Sequence, residues 1–388
     1  MRILYIHNEY AKLSGEEQAS REIVDLLREH GHEVKWFSRS SEEISKGILG
    51  HIKAFVAGIY NPFSAKKLAK VLDEFKPDIV QVQNIYPLLS SAIFTPLKKR
   101  HIPVVMRCPN YRLFCPSGLS IDPKGQVCEL CWGGHEINCI KRNCLGNYSK
   151  SIGYALRNMY NRLTSKIKNG VSVYIVQSEF QKNKFISQGI SPDRIGILPG
   201  ISPVISIHND NREGEYVSFV GRVSKEKGIY EFIETAKLNP NIPFRVAGNF
   251  DENFVMPSVI PDNLNFVGFK RGKELDEFYL DSRIIVVPSK WYEGFPNVIV
   301  RGMLLKKPII TTSIGAMQSI VDHNSNGLLV APGSAEELSQ AIHNLYYNLD
   351  DCKKFGENGY LKATSQYSRE QIYRELVKIY KHAQESLI

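Results

Sequence analysis

The segment Pro288-Ser-Lys-Trp-Tyr-Glu-Gly-Phe-Pro-Asn-Val-Ile-Val-Arg-Gly-Met-Leu-Leu-Lys-Lys-Pro-Ile-Ile310 decides the fold. The apolar run Arg283-Ile-Ile-Val-Val-Pro288 ends there in a turn, Glu293-Gly294-Phe295-Pro296-Asn297, and the chain reopens as a helix through Val298 and Arg301. Pro296 suits the first turn of that helix, where a missing N–H costs nothing. In an open α/β sheet, ligands sit at the carboxyl ends of strands, where helix N-termini present unpaired N–H groups to phosphate. A carboxylate in the turn, Glu293, can meet the hydroxyls of a sugar whose phosphates lie on the helix end. The stretch outlines a nucleotide-sugar site; taken alone, it is equally an ordinary strand–turn–helix junction of any doubly wound protein.

Outward from this segment, strand-like and helical patterns alternate, which predicts parallel sheets. In the first half the strands are expected near Arg2–His7, Glu33–Phe37, Asp78–Val82, Pro103–Met106, Ser172–Val176 and Arg194–Leu198. The apolar rhythm is lost between Gly200 and Glu215 and resumes in strands near Tyr216–Val220, Phe244–Ala247, Leu264–Val267, Ile284–Val287, Pro308–Thr311 and Gly327–Val330. Helices near Ile229–Leu238, Glu274–Leu280, Pro296–Leu305 and Ala335–Leu349 separate these strands. The reading is α/β: two Rossmann-like domains, residues 1–199 and 200–367, facing one cleft, followed by a helix over 368–388 with Ile372, Leu376, Ile379 and Tyr380 at helical spacing. A chain of 388 residues fits two domains of roughly 150–200 residues better than one.

A second chemical cluster is Phe219-Val-Gly-Arg-Val-Ser-Lys-Glu-Lys-Gly228, a strand running into a glycine turn that carries Gly221, Arg222, Lys225 and Lys227. A guanidinium and an ammonium five positions apart can bracket a diphosphate and neutralise charge building on a leaving group. A basic loop by itself is more often merely solvated. Near the N-terminus, the turn after the first strand contains Ser14-Gly15, where backbone can approach a ligand closely.

Glu293-Gly-Phe-Pro-Asn with Gly302-Met-Leu-Leu-Lys-Lys-Pro, together with Gly221-Arg-x-Ser-x-Glu-Lys-Gly228, resembles the donor-site signature of family-4 glycosyltransferases of GT-B fold. The resemblance spans nearly the whole chain, because Ala247-Gly248-Asn249 and Val267-Gly-Phe-Lys270 follow in family order. It implies that Arg222 and Lys227 hold the donor diphosphate and that Glu293 meets the sugar. Gly15, Gly221, Gly248, Lys270, Gly294, Phe295, Pro296, Asn297 and Val298 would surround the donor, with the base near Gly268–Arg271. It also implies an acceptor-side first domain and a last helix crossing back onto it. Side-chain cations would take the place of a catalytic metal ion, so no cofactor is expected for catalysis; Asp251-Glu252 reads as a loop and not as a metal-binding Asp-x-Asp. The chain departs from the pattern twice. Arg301 stands where the family usually has a second Glu for the ribose, and Pro109 stands where it commonly has a His beside the sugar.

The first domain carries a turn-rich insertion over about residues 108–148 with Cys115, Cys128, Cys131, Cys139 and Cys144. C-x2-C followed by C-x4-C can wrap a tetrahedral thiolate site. The expectation is a structural zinc on Cys128, Cys131, Cys139 and Cys144, with Cys115 as alternate, against the plainer reading of small buried thiols under a loop. From Lys141 to Lys168 seven basic residues alternate with Tyr148, Tyr154 and Tyr160 without a single acid. That pattern is most commonly a solvated helix face. Of the specific readings it suits an acidic membrane face presenting a lipid-linked acceptor better than nucleic acid, for which no motif accompanies it.

The formal charge of +9 favours anionic partners, hydrophobic content of 43% is ample for two cores, and seven cysteines without a signal peptide argue against disulfides. No apolar stretch reaches the ~18 residues of a membrane helix, so a cytoplasmic protein, peripheral on the inner membrane face, is expected. The leading function is a retaining glycosyltransferase moving a sugar from a UDP- or GDP-sugar to a hydroxyl of a glycan or lipid-linked acceptor, in cell-surface polysaccharide or glycolipid synthesis. The alternatives are a relative that binds nucleotide sugar without turnover, and a sugar-nucleotide epimerase of the same architecture.

Overall fold

In the first half of the chain, strand and helix alternate as β1 (Arg2–Glu9), α1 (Gly15–Glu29), β2 (Glu33–Ser40), α2 (Ile48–Ile59), α3 (Pro62–Phe75), β3 (Ile79–Val82), α4 (Phe94–Lys99) and β4 (Val104–Arg107). There follow α5 (Ile137–Lys141), α6 (Tyr148–Thr164), α7 (Lys166–Gly170), β5 (Val173–Val176), α8 (Glu179–Ser187) and β6 (Ile195–Ile197). The second half runs β7 (Tyr216–Val220), α9 (Ile229–Leu238), β8 (Phe244–Ala247), β9 (Leu264–Gly268), α10 (Gly272–Leu280), β10 (Ser282–Val287), α11 (Asn297–Leu304), β11 (Ile309–Thr312), α12 (Met317–Ile320) and β12 (Gly327–Val330). Three helices close the chain: α13 (Ala335–Tyr346), α14 (Leu349–Gln366) and α15 (Arg369–Glu385). This computed structural model describes residues 1–10, 15–44, 47–207, 212–252 and 254–386. Ser14, and part of the stretch between the halves, therefore lie outside the described residues; Gly15 is the first residue of α1.

The chain divides into two units: residues 1–123, 128–199 and 372–388 form one, and residues 124–127 and 200–371 the other. Each is built on a six-stranded parallel sheet, in the order β2-β1-β3-β4-β5-β6 and β12-β11-β10-β7-β8-β9. Parallel strands need crossover helices, and those helices bury both faces of the sheet. Hence β3 and β5 read as continuous apolar or neutral runs, and β3, β4 and β5 are buried at every residue, Arg107 at the end of β4 included. In the first unit, Ile372, Leu376, Tyr380 and Ala383 of α15 are buried, and the Tyr380 hydroxyl donates to Gln81 Oε1 under the sheet. In the second, Phe232 of α9 packs between Phe219 of β7 and Phe244 of β8, with ring centroids 5.7 and 5.3 Å away.

Two elements differ from the sequence reading. The helix expected to reach Leu349 stops at Tyr346, and α14 begins anew because Asn348 Oδ1 accepts the Asp351 N–H at 3.1 Å above an acidic first turn. Its apolar period is blurred by Gly356 and Gly359, which are small for packing reasons: a Cβ on Gly356 would lie 2.1 Å from the Lys306 carbonyl oxygen. The other difference is Pro296, which is the extended cap residue of α11 and not part of its first turn.

Candidate active site

The second unit brings its two chemical clusters together through glycines. At the end of β7, Gly221 has φ 146°, and its N–H donates to Ala247 O at 3.0 Å. A Cβ on Gly248 would lie 1.7 Å from the Gly221 carbonyl oxygen, so the loops after β7 and β8 meet backbone to backbone. The basic loop then makes one 3-10 turn, Lys225–Lys227, and ends at Gly228. Gly228 has φ +77°, and a Cβ there would lie 1.9 Å from the carbonyl oxygen of Pro288, at the end of β10. Only glycine lets the basic loop settle on that strand end, and this places Lys227 beside the 288–297 turn.

Glu293 is the centre of the arrangement. Although 6% exposed, its Oε1 accepts three hydrogen bonds, from Lys227 Nζ at 2.6 Å, Ser289 Oγ at 2.7 Å and Trp291 Nε1 at 2.9 Å. Burial pushes the carboxyl pKa up, but the Lys227 charge and these three donors outweigh it and leave it below the ordinary carboxylate value. Glu293 is therefore an anion at neutral pH, and among the described residues its Oε2 has no hydrogen-bond partner. Lys227 has three N–H donors, of which one is used on Glu293. Its ammonium also lies 5.4 Å from the Trp291 ring centroid.

Arg222, half exposed, is held by Asp251 Oδ2 at 3.1 Å and by Glu226 Oε1. Among the described residues two of its five N–H groups are engaged. At the start of α11, the amides of Asn297 and Val298 have no intrahelical acceptor. Phe295 packs edge-on against Tyr367 at 5.2 Å and fixes the turn. Lys270 is paired with Glu274 at 2.6 Å. Sequence reading passed over Ser289 and Trp291, which orient Glu293, and Glu226 and Asp251, which hold Arg222. The first two were readable as side-chain donors within four positions of a turn carboxylate.

Arg301 takes a structural place. Its guanidinium bonds Asp276 on α10, a residue at 0% exposure whose other oxygen accepts the Ser206 N–H at 2.7 Å. Exchanging Arg301 for Glu, which would restore the residue usual in the family, would set two carboxylates together in the core and report on folding before donor binding. Arg301→Ala is expected to cost about 3 kcal/mol of stability, because it strands a buried charge. Nucleotide-sugar affinity should stay within about twofold. Urea melts and titration calorimetry read the two effects separately, and weakened binding at unchanged stability would return Arg301 to the donor site.

In the first unit, Pro109 lines a small pocket of about 30 Å³ with Glu16, Asn84, Arg107 and Arg112. The insertion gathers Cys115, Cys128 and Cys144 in electrostatic range of Cys131, whose thiol is pushed up to about 12, chiefly by burial. Beside Cys139 and Arg142, the Cys144 thiol is held below the ordinary cysteine value. Among the described residues, however, no three His, Cys, Asp or Glu side chains are gathered into a group able to hold a metal ion. The donor set suits zinc in kind. Among the described residues no helix is long and apolar enough to cross a membrane.

The chain is similar to known proteins in sequence and in fold. Residues 204–362 match the family model for glycosyl transferases group 1, and residues 13–108 that for glycosyltransferase family 4. An uncharacterized 42.6 kDa protein from the cps region of Klebsiella pneumoniae is 26% identical over 76% of this chain and 68% of its own length. The capsular polysaccharide biosynthesis glycosyltransferase CapM of Staphylococcus aureus is 27% identical over 53% of this chain and 60% of its own. Among solved structures, sucrose-phosphate synthase from Thermosynechococcus elongatus superposes with a TM-score of 0.69 at 14% identity, covering 98% of both chains. Anabaena HepE in complex with UDP gives 0.65 at 16%, covering 97% of this chain and 99% of that one. With both family models matched in order and the fold shared from end to end, the chain belongs to the family-4 glycosyltransferases of GT-B fold.

Proposed function

We propose that the protein is a retaining glycosyltransferase that moves a sugar from a UDP- or GDP-sugar to a hydroxyl of a glycan or lipid-linked acceptor in cell-surface polysaccharide synthesis. The observation that carries the reading is the 2.6 Å contact between Lys227 and Glu293. It joins the group suited to a leaving phosphate to the group suited to a sugar hydroxyl. Lys227 would give its two remaining N–H donors to the diphosphate, where charge builds as the glycosidic bond breaks, and Glu293 Oε2 would accept from the sugar. Arg222 would add its unused N–H groups, and the first-turn amides of α11 a further anion seat. These cations supply the charge stabilisation on which transfer without a divalent ion depends. CapM, named for capsular polysaccharide biosynthesis, and HepE, solved with UDP, support the choice of pathway and donor class.

Transfer with a panel of UDP- and GDP-sugars, followed by NMR of the product linkage, tests the proposal. The expected product keeps the donor's anomeric configuration. Inversion would contradict the retaining mechanism, donor binding without turnover would indicate the binding-only relative, and a free epimerised nucleotide sugar would indicate the epimerase. For the insertion, the cysteine spacing supports a structural zinc that takes no part in the chemistry. Elemental analysis should find close to one zinc per chain, lost on Cys128→Ser, and its absence would reduce the cluster to packed thiols.

A further inference from the structure

An open sheet ends in two edge strands, and a bare edge is a template for another strand. In the first unit, β2 carries Lys35 and Arg39, and β6 is only 3 residues long. In the second, the β12 edge is capped where His323 Nδ1 accepts the Leu329 N–H at 3.0 Å. The β9 edge, Leu264-Asn-Phe-Val-Gly268, contains no charge and no proline, and among the described residues no strand pairs its outer side. Phe244 N–H donates to Asn263 O at 2.7 Å. Alternate residues of a parallel ladder face the same neighbour, so Asn263 and Asn265 face β8 and the N–H and C=O of Phe266 point outward. The bulge in β9 falls at Val267, beyond that residue.

The surface beside this edge is apolar. Among the described residues the crossover from β8 to β9 contains no helix, whereas every other crossover of this sheet passes through one. A loop takes the helix's place. Phe254 holds it against Tyr230 and Phe250 against Phe266, each pair with ring centroids 5.5 Å apart, and the Tyr230 hydroxyl donates to Val255 O at 2.8 Å. The loop leaves Phe250, Val255 (72%), Met256 and Val259 (64%) exposed, with Phe269 just past the strand. Such a cluster beside an open edge marks a protein interface. Exposed Asp262 precedes β9, and exposed Arg271 and Lys273 follow it, so opposite charges flank the two ends of the strand. Antiparallel pairing of β9 with its own copy brings each acid to the other chain's bases; a foreign strand offers no such built-in match.

We propose that the protein forms a two-fold homodimer in which β9 pairs antiparallel with β9 of a second copy, joining the two sheets edge to edge. The axis passes beside Phe266, whose N–H and C=O exchange two hydrogen bonds with the same groups of the copy. The pairing does not depend on the transfer reaction. Sedimentation velocity of the full chain, joined to hydrogen exchange at β9, tests it. At about 50 µM the wild type should run at twice its 44.0 kDa, with a dissociation constant of about 10 µM or tighter. Val259→Asp, on an exposed side chain, should weaken association at least about tenfold. Asp262→Lys should weaken it at least about threefold, and that loss should shrink at high salt. Leu361→Asp, on an equally exposed side chain of α14, should leave association unchanged. Exchange of the Phe266 amide should slow as concentration rises in the wild type and not in Val259→Asp. A monomer at about 100 µM would overturn the proposal, as would a dimer indifferent to Val259→Asp or one whose Phe266 exchange ignores concentration. A monomer that instead binds phosphatidylserine vesicles through Val259 would also overturn it and mark the loop as a membrane contact.

Discussion

Lys227→Ala is expected to lower kcat about a hundredfold or more, since a charge fixed at the leaving group acts chiefly in the transition state. The same change strips Glu293 of its counter-ion inside the protein, so a loss of stability accompanies it. The double variant Lys227→Ala/Glu293→Gln separates the two effects, because the neutral amide no longer needs the ammonium. It should regain stability and recover no turnover. Arg222→Ala should cost less, roughly tenfold, because its guanidinium is half exposed and already held by Glu226 and Asp251. A Lys227→Ala enzyme with wild-type kcat and only a raised KM would remove Lys227 from the leaving-group role.

Glu293→Ala should have a comparable effect, about a hundredfold in kcat, because the carboxylate is held by three donors on one oxygen and offers the other to the sugar. Glu293→Gln keeps the shape and should lose less. The pair also carries a pH signature. The folded Glu293 carboxyl lies below its ordinary value, so its contribution to stability is complete above the unfolded pKa of about 4.3. That contribution is lost as pH falls through the lower folded value. In thermal melts on the acid side, Glu293→Gln should flatten the decline seen in the wild type, and parallel declines would show that Glu293 is not held as an anion.

The parts of this molecule that were legible in the sequence are those fixed by local pattern. Among the described residues the twelve strand-like runs correspond to twelve parallel strands, the inner ones apolar because crossover helices leave no solvent face to alternate with. The turn carrying Glu293 and the loop carrying Lys227 were each recognisable, but their contact was not. It depends on Gly228 lying on the Pro288 carbonyl, a packing fact between residues sixty positions apart in the chain. Arg301 stands at the family's ribose position, where the sequence left a ribose contact, a phosphate contact and pairing with a neighbouring acid open. The structure pairs it with Asp276 on the preceding helix, and no spacing rule along one helix reveals a partner on another. The basic stretch from Lys141 to Lys168 was visible as composition only, and composition cannot tell a cation on the surface from one recessed among aromatic rings, as Arg157 is.

The central claim is that Lys227 and Glu293 together grip the diphosphate and sugar of a nucleotide donor. Calorimetric titration of the intact protein with UDP-, GDP- and other nucleotide sugars tests it directly, in wild type, Lys227→Ala and Glu293→Gln. The account predicts that at least one nucleotide sugar binds the wild type, that Lys227→Ala weakens it by about tenfold or more, and that Glu293→Gln discriminates less between the nucleotide sugar and its bare nucleotide diphosphate. Failure of every nucleotide sugar to bind the folded protein, or binding indifferent to both substitutions, would contradict it.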